Sequence, residues 1–296
     1  MVDFLKKHWT TIILYLILLT GLFLLMYPGV SERWNSSRHS KMIDHYIEEV
    51  ENMSGETAQA MLEEAGRYNS WLSTQDLEFL LTEDEENEYK AILDVTGMIG
   101  YLNIPKINVD LPICLGDDEE VLKTAVGHIP GSSFPVGGES THSVLLGHRG
   151  LPSARLLTDL DQLKEGDIFK ITVLDQTITY EVDQIRIVEP EDLSELQIIP
   201  GEDYCTLVTC TPYGVNTHRL LVRGRRTEKA ADVVIRDNDA VKVPLYIVIP
   251  AVGIPIIFVM LLVLLIDSYC RDIPKTRKTK VKELRKSHRK VRRKRP

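Results

Sequence analysis

Tyr204-Cys-Thr-Leu-Val-Thr-Cys210-Thr-Pro-Tyr-Gly-Val-Asn-Thr-His-Arg219-Leu-Leu-Val-Arg-Gly224 holds two strand-like runs around a turn. The first run closes on Cys210, and the second opens on Arg219. Upstream, Ser143-Val-Leu-Leu-Gly-His148-Arg-Gly150 is another apolar run, and it ends on a histidine. A thiol, an imidazole and a guanidinium at strand edges are the parts needed for acyl transfer through a thioester. The thiolate attacks a carbonyl, the imidazole manages the protons of the leaving amine, and a fixed cation steadies the oxyanion. Each residue also has an ordinary reading. Cys210 could be a buried structural cysteine, His148 a satisfied histidine beside a glycine turn, and Arg219 a surface cation on a hairpin. His128, His142 and His218 compete with His148 for the acid–base role.

The flanks say where such chemistry would occur. Residues 10–27 and 243–266 are almost wholly apolar, and each is long enough to cross a bilayer as a helix. A signal peptide is the alternative for the first run, but Tyr27-Pro28-Gly29-Val30 lacks a small-x-small cleavage pattern. A buried core helix is the alternative for the second. Pro250, Gly253 and Pro255 would break a soluble helix but are tolerated in a membrane one. Residues 271–296 hold 14 Lys and Arg against Asp272 and Glu283, and Lys6 and Lys7 precede the first run. Positive flanks stay inside, so both termini are expected in the cytoplasm and the middle outside. With 35 basic and 43 acidic residues in all, 19 basic and 39 acidic residues remain between the runs, a formal net charge of −20. A basic tail directly after an apolar span reads as a stop-transfer anchor on anionic lipid rather than a nucleic-acid site.

Between the anchors the pattern changes twice. Residues 40–72 are helical in period, with Ile43, Tyr46, Ile47 and Val50, then Met61, Leu62, Ala65, Tyr68 and Leu72, divided at Ser54-Gly55. Residues 74–90 are acidic and predict a loop or a short exposed helix. After Thr96 the period becomes two. Ile107, Val109, Leu111 and Ile113 alternate with polar neighbours, as do Phe169, Ile171 and Val173, then Ile178, Tyr180 and Val182. Leu174-Asp175-Gln176-Thr177 supplies a turn between the last two sets. Further strands are expected near residues 141–146, 205–209 and 220–223, with a brief helical crossover at 191–197. Many short strands with Gly and Pro turns predict an all-β sandwich or closed barrel with N-terminal helices.

Cys205 lies five residues before Cys210, so strand alternation sends the two to opposite faces. A Cys114–Cys205 disulfide is open on an oxidising side, whereas Cys270 follows the second apolar run into a reducing compartment. No Cys-x-x-Cys pair or close His pair predicts a metal centre, and no cofactor is expected.

The segment 206–224 resembles the active-site signature of sortases, specifically the pilus-assembling class C. Gly147-His148-Arg149-Gly150-Leu151-Pro152-Ser153-Ala154 is similar to that class's histidine motif. Ile104-Pro105-Lys106-Ile107, His128-Ile-Pro-Gly-Ser-Ser and Pro135-Val-Gly-Gly138 also fall where the family has similar segments. The resemblance covers roughly residues 97–224. It implies a closed eight-stranded β-barrel and transpeptidation at a Leu-Pro-x-Thr-Gly-like (LPxTG-like) sorting signal. By motif position it implies Cys210 as nucleophile, His148 as acid and base, and Arg219 as the cation on the substrate carbonyl. For class C the partners implied are pilin subunits with a sorting signal and an acceptor lysine, in a Gram-positive cell-wall setting.

The resulting organisation is a cytoplasmic N-terminus (1–9), a transmembrane helix (10–27) and an extracellular helical preface (28–96). A sortase β-barrel (97–228), a linker (229–242), a second transmembrane helix (243–267) and a basic cytoplasmic tail (268–296) follow. One departure stands out. Class C members commonly carry a lid with an Asp-Pro-aromatic motif, and residues 73–97 contain no such triplet; Asp76-Leu77-Glu78-Phe79 is nearest. The expectation is no conventional lid, against an altered lid with Phe79 or Trp71 as the occluding ring. A general cell-wall anchoring sortase, a membrane-tethered cysteine hydrolase and a non-catalytic assembly scaffold are the competing functions.

Overall fold

The computed structural model describes residues 2–75, 82–151 and 154–228, together with residues 253, 255, 257 and 258. They fall into two units, residues 28–239 and the remainder. Eight strands form the core of the first: β1 (Gly100–Ile104), β2 (Val109–Leu115), β3 (Val126–His128), β4 (Thr141–Leu146), β5 (Ile168–Val173), β6 (Gln176–Val188), β7 (Asp203–Thr211) and β8 (His218–Arg226). They close into a barrel in the order β1-β2-β3-β4-β7-β8-β6-β5. Only β2–β3 and β4–β7 pair in parallel; the other neighbours are antiparallel. Closure leaves no unpaired edge and lets alternate side chains fill the interior. Leu102, Ile113, Leu145, Phe169, Ile171, Cys205, Leu207 and Val222 are all inward and buried.

The expected all-β barrel with N-terminal helices is therefore present, with two local corrections. Ile107 belongs to a 3-10 turn, Pro105–Ile107, and not to the strand that its alternation suggested. Pro105 opens that turn with no N–H to give a ladder, and Asn108 closes it in the left-handed conformation, φ 53°. The turn after β5 is also tighter than expected: Leu174 and Asp175 alone make it, and Gln176 and Thr177 already pair with Val173 and Thr172. Cys114 and Cys205 are both buried free thiols, so the open disulfide does not form.

Three helices precede the barrel: α1 (Val2–Asn52), α2 (Gly55–Leu72) and α3 (Glu83–Ala91). α1 contains Pro28 and runs on where the sequence suggested a span ending at residue 27. It is the one helix among the described residues long and apolar enough to cross a membrane. Ile17, Phe23 and Leu24 face outward with more than half their surface exposed, as lipid-facing residues do. The second apolar run lies outside the described residues, apart from helical Gly253, Pro255, Ile257 and Phe258. Ser54 caps α2 by accepting from Thr57 N, and Thr82 and Glu85 form a reciprocal capping box on α3.

Buried polar groups seat these helices on the barrel. The Tyr46 hydroxyl donates to Ile99 O (3.1 Å) and accepts from Leu174 N (2.8 Å). Asn69 takes both backbone polar groups of one residue, accepting from Phe134 N (2.7 Å) and donating to Phe134 O (3.0 Å). Tyr89 on α3 meets His128 Nδ1 at 2.9 Å, and His128 Nε2 lies 2.9 Å from Ser133 O. A carbonyl only accepts, so Nε2 carries the proton and Nδ1 of the neutral ring accepts from the Tyr89 hydroxyl. His142 is held by the same logic: Nδ1 donates to Gln197 O (2.9 Å) and Nε2 accepts from Thr206 Oγ1 (2.7 Å).

Burial holds both imidazoles down at about 4, from an ordinary 6.5. The unfolded chain therefore binds more protons between those values, and stability falls as pH drops from 6.5 towards 4, by about 3 kcal/mol per histidine. Thermal unfolding of the full chain in detergent should show a lower midpoint at pH 5 than at pH 7, before ordinary carboxylates titrate. A flat profile over that window would contradict neutral, locked rings. Asn69→Ala should cost about 3 kcal/mol in denaturant unfolding, because it strips partners from two buried backbone groups.

Candidate active site

Because β4 and β7 run parallel, both strands leave the barrel at the same rim, and β8 enters there. Their register pairs Val144 with Thr206 and Leu146 with Val208. Gly147 N then donates to Val208 O (3.0 Å), and Thr209 Oγ1 donates to Gly147 O (2.8 Å). Two residues past the last pair, β4's exit reaches His148 and β7 reaches Cys210. Across the antiparallel β7–β8 ladder, Cys210 is the direct partner of Arg219. The strand edges that the sequence marked thus converge: thiol and guanidinium sit opposite each other, and the imidazole lies on the neighbouring chain at the same level.

Alternation fixes the face. Cys205 and Leu207 belong to the interior core, whereas Val144, Val208 and Leu221 form a separate outer cluster with Leu196. Cys210 and Arg219 continue the outer row, two residues on from Val208 and two back from Leu221. Their exposure agrees, since Cys210, His148 and Arg219 are half-buried while Cys205 is fully enclosed. The 3-10 turn Ser194–Leu196, inside the segment expected to be a helical crossover, supplies Leu196 to that cluster.

The backbone at His148 is tightly set. Leu157 N donates to His148 O (3.2 Å), and a Cβ at Gly147 would come within 2.7 Å of the Leu157 side chain. Glycine is required there because the fully buried Leu157 fills the space. On the other side, Val215 N and Asn216 N both donate to Pro212 O (3.0 Å), closing the loop between β7 and β8, with Asn216 at φ 62°. Thr211–Pro212 is a cis peptide. Arg219 Nη1 lies 3.4 Å from Asn216 O and 3.3 Å from His218 O. Among the described residues no carboxylate pairs with Arg219. No hydrogen bond joins Cys210 Sγ to the His148 ring; such contacts in ligand-free sites often tighten only around substrate.

The competing residues are committed elsewhere. His128 and His142 are the locked neutral rings described above, and His218 Nε2 faces Glu189 at 3.2 Å. Burial pushes the Cys114 thiol up to about 11 and the Cys205 thiol well above its ordinary range, which leaves both inert. No metal-binding group of His, Cys, Asp or Glu occurs among the described residues. Trp71, one candidate occluding ring, packs against Tyr68 (5.6 Å between centroids), and Phe79 lies outside the described residues. Two residues given no role by the sequence reading also reach this rim: Arg149, whose guanidinium crosses to Thr211, and Tyr213, whose ring covers Gly150.

Residues 102–227 match the Sortase domain family. A crystal structure of sortase C1 from Streptococcus agalactiae is 50% identical, covering 64% of this chain and all of that one, with a TM-score of 0.63. Streptococcus pneumoniae sortase C, whose structure is described as bearing on catalysis and pilin substrate specificity, is 43% identical (63% of this chain, 96% of that one, TM-score 0.58). Clostridium perfringens sortase C, solved with the C-terminal cell wall sorting motif, is 41% identical (64% and 99%, TM-score 0.57). Among curated relatives, Sortase D of Bacillus subtilis is 33% identical over 130 residues, 43% of this chain and 63% of that protein. The chain spans less than two thirds of the curated relatives it matches first. With an eight-stranded closed barrel and half-identity over the whole length of a solved sortase C1, the chain belongs to the sortase family, and its structural neighbours are class C sortases.

Proposed function

We propose that this protein is a membrane-anchored cysteine transpeptidase that cleaves an LPxTG-like sorting signal between Thr and Gly and joins pilin subunits through a lysine isopeptide bond. The observation that carries it is the register of β7 and β8, which sets Cys210 against Arg219, a cation with no carboxylate partner among the described residues, beside the exit of β4 to His148. Cys210 gives its proton to His148, and its sulfur attacks the Thr carbonyl carbon. Arg219 holds the oxygen as it becomes an oxyanion. The C–N bond breaks, the glycine amine leaves with the proton from His148, and a thioester remains. A lysine amine of the next pilin attacks that thioester, passes its proton through His148 to the sulfur, and restores the thiol. The thioester conserves the energy of the cleaved amide, so no nucleotide enters the cycle.

The apolar stretch of α1 and the second apolar run anchor the enzyme, with both termini cytoplasmic and the barrel outside. Pilin joining is favoured over general cell-wall anchoring by the likeness to class C structures, one of them described for its pilin specificity. A hydrolase would use the same three side chains and release the acyl group to water. The full chain in detergent micelles, mixed with a Leu-Pro-x-Thr-Gly peptide and followed by intact mass, should gain the acyl fragment; Cys210→Ala should not. A lysine-bearing pilin should discharge the adduct into an isopeptide, whereas discharge to acid alone would mean a hydrolase. Arg219→Ala should lower kcat about 100-fold or more, as loss of an oxyanion donor does.

A further inference from the structure

The loop that carries His148 and the strand end that carries Cys210 are joined by one side chain that the mechanism does not use. Arg149 follows His148, and nine-tenths of its side chain is buried. Its Nη1 donates to Thr211 Oγ1 (3.2 Å), on the residue immediately after Cys210, and its Nη2 donates to Asp161 Oδ2 in the turn Leu160–Gln162. A second link runs parallel to it. The Tyr213 ring lies over Gly150 so closely that a Cβ there would sit 3.0 Å from it, and Gly150 adopts φ 80°. The His148 side of the joint is itself rigid, because Leu157 N holds His148 O and Thr158 Oγ1 accepts from Gly150 N (3.1 Å).

We propose that Arg149 is a positioning residue that, oriented by Asp161, clamps the His148 loop onto the Cys210 end of β7 and sets the distance between imidazole and thiol. The assignment rests on the transpeptidase reading for its consequence, though the clamp itself is a matter of geometry. Beyond Leu146–Val208 the ladder pairs end; Gly147 N to Val208 O and Thr209 Oγ1 to Gly147 O carry the tie one residue further, and the Arg149–Thr211 bond extends it past His148 and Cys210 themselves. A guanidinium supplies it because its planar fork reaches two acceptors at a fixed angle, which an ammonium cannot do. Thr211 is nearly buried, so its hydroxyl has few rival partners. A misplacement of about 1 Å between reacting groups is enough to lower a rate about 100-fold. An ion pair between the buried Arg149 and the half-exposed Asp161 that serves stability alone is the rival account.

The test uses the full chain in detergent micelles and the variants Arg149→Lys, Arg149→Gln and Asp161→Asn. Peptide-to-amine transfer gives kcat and KM, and amide hydrogen exchange is read at residues 148–150 and at Thr211 and Tyr213. Arg149→Gln should lower kcat about 100-fold with KM nearly unchanged. Exchange should quicken in both segments and not in β5 or β6. Asp161→Asn should give a smaller loss of the same kind, and the double variant should be no worse than Arg149→Gln, as expected for one unit. If Arg149→Gln folds poorly, Arg149→Lys and Asp161→Asn carry the comparison. Retention of kcat within about threefold, a loss shared between kcat and folded fraction, or unchanged exchange in the two segments would each overturn the clamp. Should the wild type transfer nothing, the transpeptidase reading is what fails, and the exchange rates still decide whether Arg149 ties the loops.

Discussion

The parallel pairing of β4 with β7 is the constraint on which the rest depends. Two antiparallel strands would send their C-terminal ends to opposite rims, and a histidine just past one could not meet a cysteine closing the other. Parallel pairing needs a long crossover, here residues 147–202, and that crossover is spent on β5 and β6. Those strands go around to pair with β8 and β1, which closes the barrel. The same connection therefore makes the scaffold rigid and brings three non-adjacent stretches of chain to one rim. A rim built by register holds side chains more firmly than one built from loops, because each strand end is fixed by its ladder.

Placement on the outer face matters as much as placement at the rim. The interior of an eight-stranded barrel is filled by side chains and leaves no room for a peptide. The outer row instead meets solvent beside the small apolar cluster of Val144, Val208 and Leu221. One residue of register slip would turn Cys210 inward, to join Cys205 among buried thiols whose anions are disfavoured. Asp183, displaced at the irregularity in β6, takes both arms of Arg223, which also stacks on Tyr204 at 4.2 Å. That pairing pins β6, β7 and β8 together and resists such a slip.

Much of this was legible from residue order alone. The period-two stretches marked β2, β5 and β6, and the Cys210–Arg219 hairpin was visible as two runs around a Pro-Gly turn. β1 and the three-residue β3 were not anticipated, because a strand as short as Val126–His128 has no room to display a period. Ile107 misled because alternation cannot register a proline two residues earlier that starts a turn. The distance in sequence between His148 and Cys210 hid their convergence, which only the strand order reveals; family resemblance bridged the gap where spacing could not. Arg149 stood inside a recognisable motif without a role, since nothing in a sequence says that a charged neighbour of a histidine will be buried and reach Thr211.

The histidines show how one side chain acquires different work from its surroundings. His128 and His142 each have one ring nitrogen committed to a carbonyl and the other to a hydroxyl, and burial keeps both neutral. Such a ring is a two-ended polar strut. It cannot take a second proton without breaking one of its bonds in a site that penalises charge. His148 has no side-chain hydrogen bond among the described residues and is only half-buried, so its ring is not committed to a structural partner, as the acid–base role proposed for it requires. A general acid–base needs that freedom, together with a backbone that does not drift; the Leu157 N–His148 O bond holds the backbone, and the clamp proposed for Arg149 would add to it. The barrel thus divides its histidines by surroundings: His128 helps to seat α3 through Tyr89, His142 on the outer row is bonded to Gln197 O and Thr206, and His148 at the rim keeps an uncommitted ring.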